Sequence, residues 1–246
     1  MERQGEAIVL RTWPFHESDL IVSLLTREQG KLKGVARAAL KSRRRFGGAL
    51  EPMTLVRAHY VERPRQELVR LDSLEILRSP LSAPMDHSRL AGLQFLSEVL
   101  EESMPEQGPD DAIFRLTAAV LEQLQVGRVW LPVTYFALWV TRLMGWMPDL
   151  SSCAACSESL RGKSAFYSSG TDGVCCGEHK PAGAMMLSAE SLALAAEVFR
   201  NQLKTLAVET WPKGRAADLR RFAMIALERH LERKLRSART LEVCRG

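Results

Sequence analysis

"DLIVSLLTREQGKLKGVAR", residues 19–37, changes character near its midpoint. The stretch 19–26 is apolar and β-branched. Gln29-Gly30 then supplies a turn, and Leu32 and Val35 follow, separated by polar residues. This reads as strand, turn, strand. Working outward, "GEAIVLRTW" (5–13) is a further short β-type run, and "MTLVRAHYVE" (53–62) alternates around Leu55, Tyr60 and Val61. "ELVRLDSLEIL" (67–77) reads as strand through its first half. Five short strands within about 80 residues predict a small closed barrel. The five-stranded Greek-key barrel of the OB type is the expected form, and its face on strands two and three is where such folds take nucleic acid.

Charge singles out the same region. The chain of 246 residues carries a net charge of +5. Residues 1–80 hold 15 Lys and Arg against 10 Asp and Glu, and the remainder holds 19 of each, so the whole excess is N-terminal. Within residues 27–45, Arg27, Lys31, Lys33, Arg37, Lys41, Arg43, Arg44 and Arg45 face Glu28 alone. Such density marks a polyanion partner. Lys31, Lys33, Arg37, Lys41, Arg43, Arg44 and Arg45 are the candidate DNA-binding residues, on the hairpin of strands two and three and the connection to strand four. The rival reading of the block is a solvated, self-repelling loop.

Composition is that of a soluble globular chain, 46% hydrophobic and 26% charged, long enough for two or three domains. No apolar run approaches the roughly 18 residues of a membrane span. "MERQGEAIVL" lacks the features of a secretory signal, so a cytoplasmic location is expected. In a reducing compartment, clustered cysteines read as metal ligands or redox groups before disulfides.

From Pro80 the period becomes helical. "HSRLAGLQFLSEVLEES" (87–103) spaces leucines by three and four, and "DDAIFRLTAAVLEQLQ" (110–125) starts on acidic cap residues. "LPVTYFALWVTRLMGW" (131–146) is apolar almost all round and predicts a central helix, with Tyr135, Phe136, Trp139 and Trp146 as core. A capped helix is expected over 188–203 and one long basic-faced helix over 213–242, with His230 packed or on the surface. The expected class is α+β: a barrel over 1–79, then a helical domain over 80–246 with a zinc-ribbon-like insertion at 150–185.

That insertion, "SSCAACSESLRGKSAFYSSGTDGVCCGEHKP" (151–181), holds four of the five cysteines. A C-x-x-C turn, a glycine-containing span and a second knuckle form the layout of a structural zinc site, in which both pairs complete one tetrahedron. Two closures are possible, because Cys175 and Cys176 are adjacent. The favoured ligands are Cys153, Cys156, Cys176 and His179, since adjacent side chains diverge and the x-x spacing puts Cys176 and His179 on one side. Four protein ligands leave no open position for chemistry. A zinc deaminase would need H-x-E before P-C-x-x-C, and neither is present. Asp110-Asp111 reads as a helix start rather than a metal-binding carboxylate pair. No catalytic residues are expected.

The residues resemble the RecO family of bacterial recombination mediators. Residues 5–53 are similar to the family's N-terminal pattern at Glu17, Asp19, Gly30, Lys31, Gly34, Ala36, Arg37, Lys41, Ser42, Arg43, Leu50 and Pro52. The family's ribbon, C-x-x-C…G-G-x-x-C-x-x-C, matches "CAAC" and "DGVCCGEH" when Gly173 is aligned, which puts Cys176 third and His179 fourth. The chain departs in having a histidine fourth, Asp172 for the first glycine, and Cys175 as an extra thiol. The resemblance implies binding of single- and double-stranded DNA near the nucleoid and annealing of complementary strands. It also implies action with RecR to load RecA onto DNA coated by single-strand-binding protein. The C-terminal tail of single-strand-binding protein and the RecA–DNA filament are the further partners implied. That acidic, hydrophobic tail needs a basic-rimmed apolar groove in the helical body, where Arg115, Arg128 and Arg142 are of the right type. A zinc-ribbon adaptor of transcription or RNA metabolism, without RecR as partner, is the alternative.

Overall fold

The computed structural model describes residues 1–206 and 211–244. Five N-terminal strands, β1 (Glu2–Pro14), β2 (Leu20–Thr26), β3 (Gly30–Ala36), β4 (Leu55–Val61) and β5 (Val69–Arg78), are hydrogen-bonded in the order β1-β2-β3-β5-β4. Pairing of β1 with β4 closes the sheet into a barrel, and β3 runs parallel to β5. Strand β1 is long enough to pair on both edges: Ala7 lies opposite Thr26 on one side and Val56 on the other.

The run Ala7-Ile8-Val9-Leu10 does not alternate, because β1 is buried on both faces. Ala7 and Val9 join the barrel interior with Val22, Leu24, Val56 and Leu71. Ile8 and Leu10 join the helical core with Leu93 and Leu96. A bulge between Val9 and Arg11 accommodates the change of partner. Strand β5 extends through Arg78, beyond the first half of 67–77.

Helices α2 (His87–Ser103) and α3 (Asp111–Gln125) begin where the sequence places them. Asp86 accepts from the N–H of Arg89 (2.8 Å) and Asp110 from that of Ile113 (3.0 Å). Helix α4 (Trp130–Leu143) is central and buried nearly all round, and Trp146 lies beyond its end. A two-stranded ribbon, β6 (Ala165–Tyr167) with β7 (Met185–Leu187), separates α4 from α5 (Ala189–Val198), which Ser188 caps. The helix expected over 188–203 therefore ends early, and a short α6 (Leu203–Leu206) follows.

The single helix expected over 213–242 is two, α7 (Ala217–His230) and α8 (Arg236–Val243). Glu232 takes a left-handed conformation (φ 53°) that ends the first. Helix α8 has no side-chain cap of its own; the carboxylate of Glu98 on α2 accepts from the N–H groups of Arg236 (3.0 Å) and Ser237 (2.8 Å) instead. No helix among the described residues is long and apolar enough to cross a membrane.

The β2–β3 turn locks the barrel to the helical body. Gly30 has φ +75°, and a Cβ there would lie 2.2 Å from the carbonyl oxygen of Gly108. The N–H of Gln107 donates to the carbonyl of Lys31 (2.9 Å), and Arg27 pairs with Asp111 (2.7 Å).

Candidate metal centre and nucleic-acid interface

The ligand atoms of Cys153, Cys156, Cys176 and His179 all lie within 4.8 Å of one another and can hold a metal ion. Local backbone geometry brings them there. The N–H of Ser157 closes the first knuckle on the carbonyl of Cys153 (2.8 Å), with Ser157 at φ 60°. The N–H of Ala154 donates to the carbonyl of Val174 (2.8 Å), which lays the second knuckle beside the first. Gly173 permits this approach, since a Cβ there would lie 2.8 Å from Ala154 Cβ. Reciprocal hydrogen bonds between Phe166 and Cys175 (2.9 and 2.8 Å) fix the backbone of the second knuckle against β6.

The separations suit a tetrahedral ion. Zinc–sulfur bonds of about 2.3 Å put ligand sulfurs about 3.8 Å apart, and a sulfur and a nitrogen about 3.6 Å apart. Cys156 Sγ stands 3.9 Å from Cys176 Sγ, and Cys176 Sγ stands 3.3 Å from His179 Nδ1. The donor set, three thiols and one imidazole, is that of structural zinc. The N–H of Cys176 donates to Cys153 Sγ (3.3 Å) and, with the N–H groups of Cys156 and Ala155, brings the Cys153 thiol down to about 6. Cys175 is outside the cluster, and burial pushes its thiol up. The ribbon is tied to α7: Tyr167 packs edge-on against Phe222 (4.7 Å), and Arg229 pairs with Asp172 (2.5 Å). His230 stacks on Trp146, 5.3 Å away, and is not a ligand.

The seven basic candidates fall into different settings. Lys31 is buried, and its ammonium donates to the carbonyl of Glu101 (2.5 Å). Lys33 pairs with Glu106 (2.7 Å); that hydrogen bond raises the lysine and lowers the carboxyl. Both side chains thus make contacts with the helical body. The connection after β3 is not an open loop. It forms a 3₁₀ turn (Ala39–Lys41) and a single helical turn, α1 (Arg43–Phe46), whose Phe46 plugs the barrel core. Arg45 holds this shape, donating to Ser42 Oγ (3.1 Å) and to the carbonyl of Arg37 (2.7 Å) and lying 5.1 Å over the Phe46 ring. Arg37, Lys41, Arg43 and Arg44 are exposed and make no ion pair with a described residue.

A groove of about 950 Å³ runs between the ribbon and α5. Leu160, Leu192 and Phe199 give it an apolar floor, and Arg142, Arg161 and Arg200 stand around it. Arg142 lies 4.6 Å over the Phe199 ring. Arg115 is instead paired with Asp111 (2.8 Å), and Arg128 donates to Gln123 (2.8 Å). Sequence spacing does not reveal Arg161 and Arg200, because only the fold of the ribbon against α5 brings them together.

Two family models match the chain: Recombination protein O N terminal over residues 1–80 and Recombination protein O C terminal over residues 84–239. The DNA repair protein RecO of Koribacter versatilis (strain Ellin345) is 52% identical over 235 residues, covering 96% of each chain. The proteins of that name from Anaeromyxobacter sp. (strain K) and Myxococcus xanthus (strain DK1622) are 34% and 32% identical. The alignments cover 96% of this chain in both cases, and 94% and 96% of the relatives. Matched along both its barrel and its helical body, the chain belongs to the RecO family.

Proposed function

We propose that this chain is a DNA-binding mediator of recombinational repair. In this reading it binds single- and double-stranded DNA, anneals complementary strands and, with RecR, helps load RecA onto DNA coated by single-strand-binding protein. It works in the cytoplasm at the nucleoid, without bond-making catalysis. The observation that carries the reading is the exposed group Arg37, Lys41, Arg43 and Arg44 on a hydrogen-bonded segment of the barrel domain, free of ion pairs with described residues. Such cations neutralise phosphates and release counterions, giving tight binding that ignores sequence and weakens with salt. Screening two strands on one surface favours their pairing.

The barrel is read as an OB fold, with residues 1–79 as the DNA-binding unit and 80–246 as the helical domain bearing the insertion at 150–185. Cys153, Cys156, Cys176 and His179 would hold one structural zinc, whose binding energy would serve as folding energy for a ribbon with strands of only three residues. The groove at Arg142, Arg161 and Arg200 suits the tail of single-strand-binding protein. Its guanidinium groups match the acidic residues, and Leu192 and Phe199 match the hydrophobic end.

A strand-annealing assay on complementary oligonucleotides, with and without single-strand-binding protein, tests the function, alongside capture of RecR. Annealing of coated strands and retention of RecR are expected. DNA binding without either would favour the adaptor reading, and magnesium-dependent strand cleavage would overturn the non-catalytic one.

A further inference from the structure

Phe15 is the one aromatic among the exposed large hydrophobic side chains of the described residues, with 45% of its surface accessible. It joins neither hydrophobic core. A single exposed apolar residue needs no explanation by itself; the setting of this one does. Phe15 opens the β1–β2 loop, and its N–H donates to the carbonyl of Asp19 (3.0 Å), which closes the loop on itself. The loop is then bonded to the basic segment. The N–H of Ala38 donates to Asp19 Oδ1 (2.7 Å), and the N–H of Leu40 to the carbonyl of Ser18 (3.2 Å). The ring thus projects from a loop hydrogen-bonded to the segment that carries Arg37, Lys41, Arg43 and Arg44. His16 packs against it with ring centroids 4.2 Å apart, tilted by 50°. Leu40, 65% exposed, adds a second apolar surface from the basic side. Glu17 is the exposed carboxylate of the loop, and four cations outweigh it.

We propose that Phe15 is a base-stacking platform, and that it makes the barrel favour single-stranded over duplex DNA. The inference rests on the DNA-binding reading above. The chemistry is complementary: unpaired bases offer π-faces to an aromatic ring, while the neighbouring cations track the backbone. Duplex DNA keeps its bases stacked on one another, so it engages the cations but not the ring. Phe15 thus adds what charge alone lacks, a means of telling the two forms apart.

The test is fluorescence anisotropy of the full-length protein with labelled oligo-dT and with a duplex of equal length, across a salt series. Phe15→Ala should weaken oligo-dT binding roughly 5- to 150-fold, the range of one lost base–aromatic stack. Duplex binding should change by no more than about twofold, as for an ordinary surface substitution, and the salt slope should hold, since no phosphate contact is removed. Phe15→Trp should retain affinity and report stacking directly, by quenching of its indole when oligo-dT is added. Oligo-dT binding by Phe15→Ala equal to wild type, equal losses on both DNAs, or wild-type affinity in Phe15→Leu would each overturn the proposal. If the wild type binds neither DNA, the parent reading falls with it. If the wild type binds through Arg43 and Arg44 and Phe15→Ala matches it, the stacking role alone falls.

Discussion

Replacing Cys176 or Cys175, one at a time, separates two thiols that are neighbours in sequence but not in chemistry. Cys176 Sγ sits within reach of both Cys156 Sγ and His179 Nδ1, whereas Cys175 stays outside the cluster. Cys176→Ser removes a thiolate and leaves three donors. Losing a supporting group around a metal typically weakens affinity about 10- to 100-fold, so losing a direct ligand should reach at least the upper end. If free zinc stands about 1,000-fold above Kd, binding stabilises the fold by about 4.1 kcal/mol. A site about 100-fold weaker retains about 1.4 kcal/mol, so the variant loses about 2.7 kcal/mol. For a chain of this size that is a fall in Tm of about 5–10 °C. Cys175→Ser places a hydroxyl where a buried thiol was, costing about 1 kcal/mol while the metal stays. Metal content by mass spectrometry, on variants purified without chelator, reads the outcome. One zinc per chain is expected for wild type and Cys175→Ser, and little for Cys176→Ser. The reverse pattern would show that the ligand register is off by one. A metal-free wild type would refute the site.

Other outcomes follow from the junctions. Lys31→Ala should cost about 1.5–3 kcal/mol, the worth of a hydrogen bond to a charged group, and leave the salt dependence of DNA binding unchanged; urea melts and anisotropy check both. Gly30→Ala forces a Cβ onto Gly108, so it should destabilise the protein and raise hydrogen exchange across residues 104–111. Glu98→Ala should free the start of α8 at about 1–2 kcal/mol, as for a lost helix cap, seen as faster exchange over residues 236–243. For the carboxyls of Glu98 and Asp218, burial pushes up, but hydrogen bonds to Ser237 and Arg236, and to Ser188, Ser191 and Leu219, outweigh it. Both folded values therefore lie below the ordinary range. Their stabilisation is full above about pH 4–5 and drains as pH falls through the lowered values, so Glu98→Gln should flatten the acid limb of a Tm–pH curve.

Legibility in the sequence tracked how local the determinants are. Helix α2 was readable from leucines spaced by three and four, and α3 from the acidic residues at its start, where Asp110 is the cap; the cap of α2, Asp86, came from the structure. The turn at Gly30 was readable too, but not its reason, which is a carbonyl 78 residues away at Gly108. The break between α7 and α8 was hidden, since neither glycine nor proline marks it and the cap comes from Glu98. Charge density pointed to residues 27–45 as a block, but charge carries no direction. Lys31 and Lys33 are on β3 against the helical body, and Arg45 is folded back on its own segment. The grouping of Cys176 with His179 was legible because a two-residue spacing fixes a knuckle locally. The groove beside α5 was not, because its walls come from distant segments.

The most direct measurement is the salt dependence of DNA affinity when Arg37, Lys41, Arg43 and Arg44 are all changed to Ala. If each neutralises a phosphate, the log–log slope should fall by about 0.7–0.9 per residue, about 3 in all, on any sequence. Affinity at low salt should drop with it, while Lys33→Ala keeps the wild-type slope. An unchanged slope with intact affinity in the fourfold variant would contradict the account and make the segment a solvated face of the barrel.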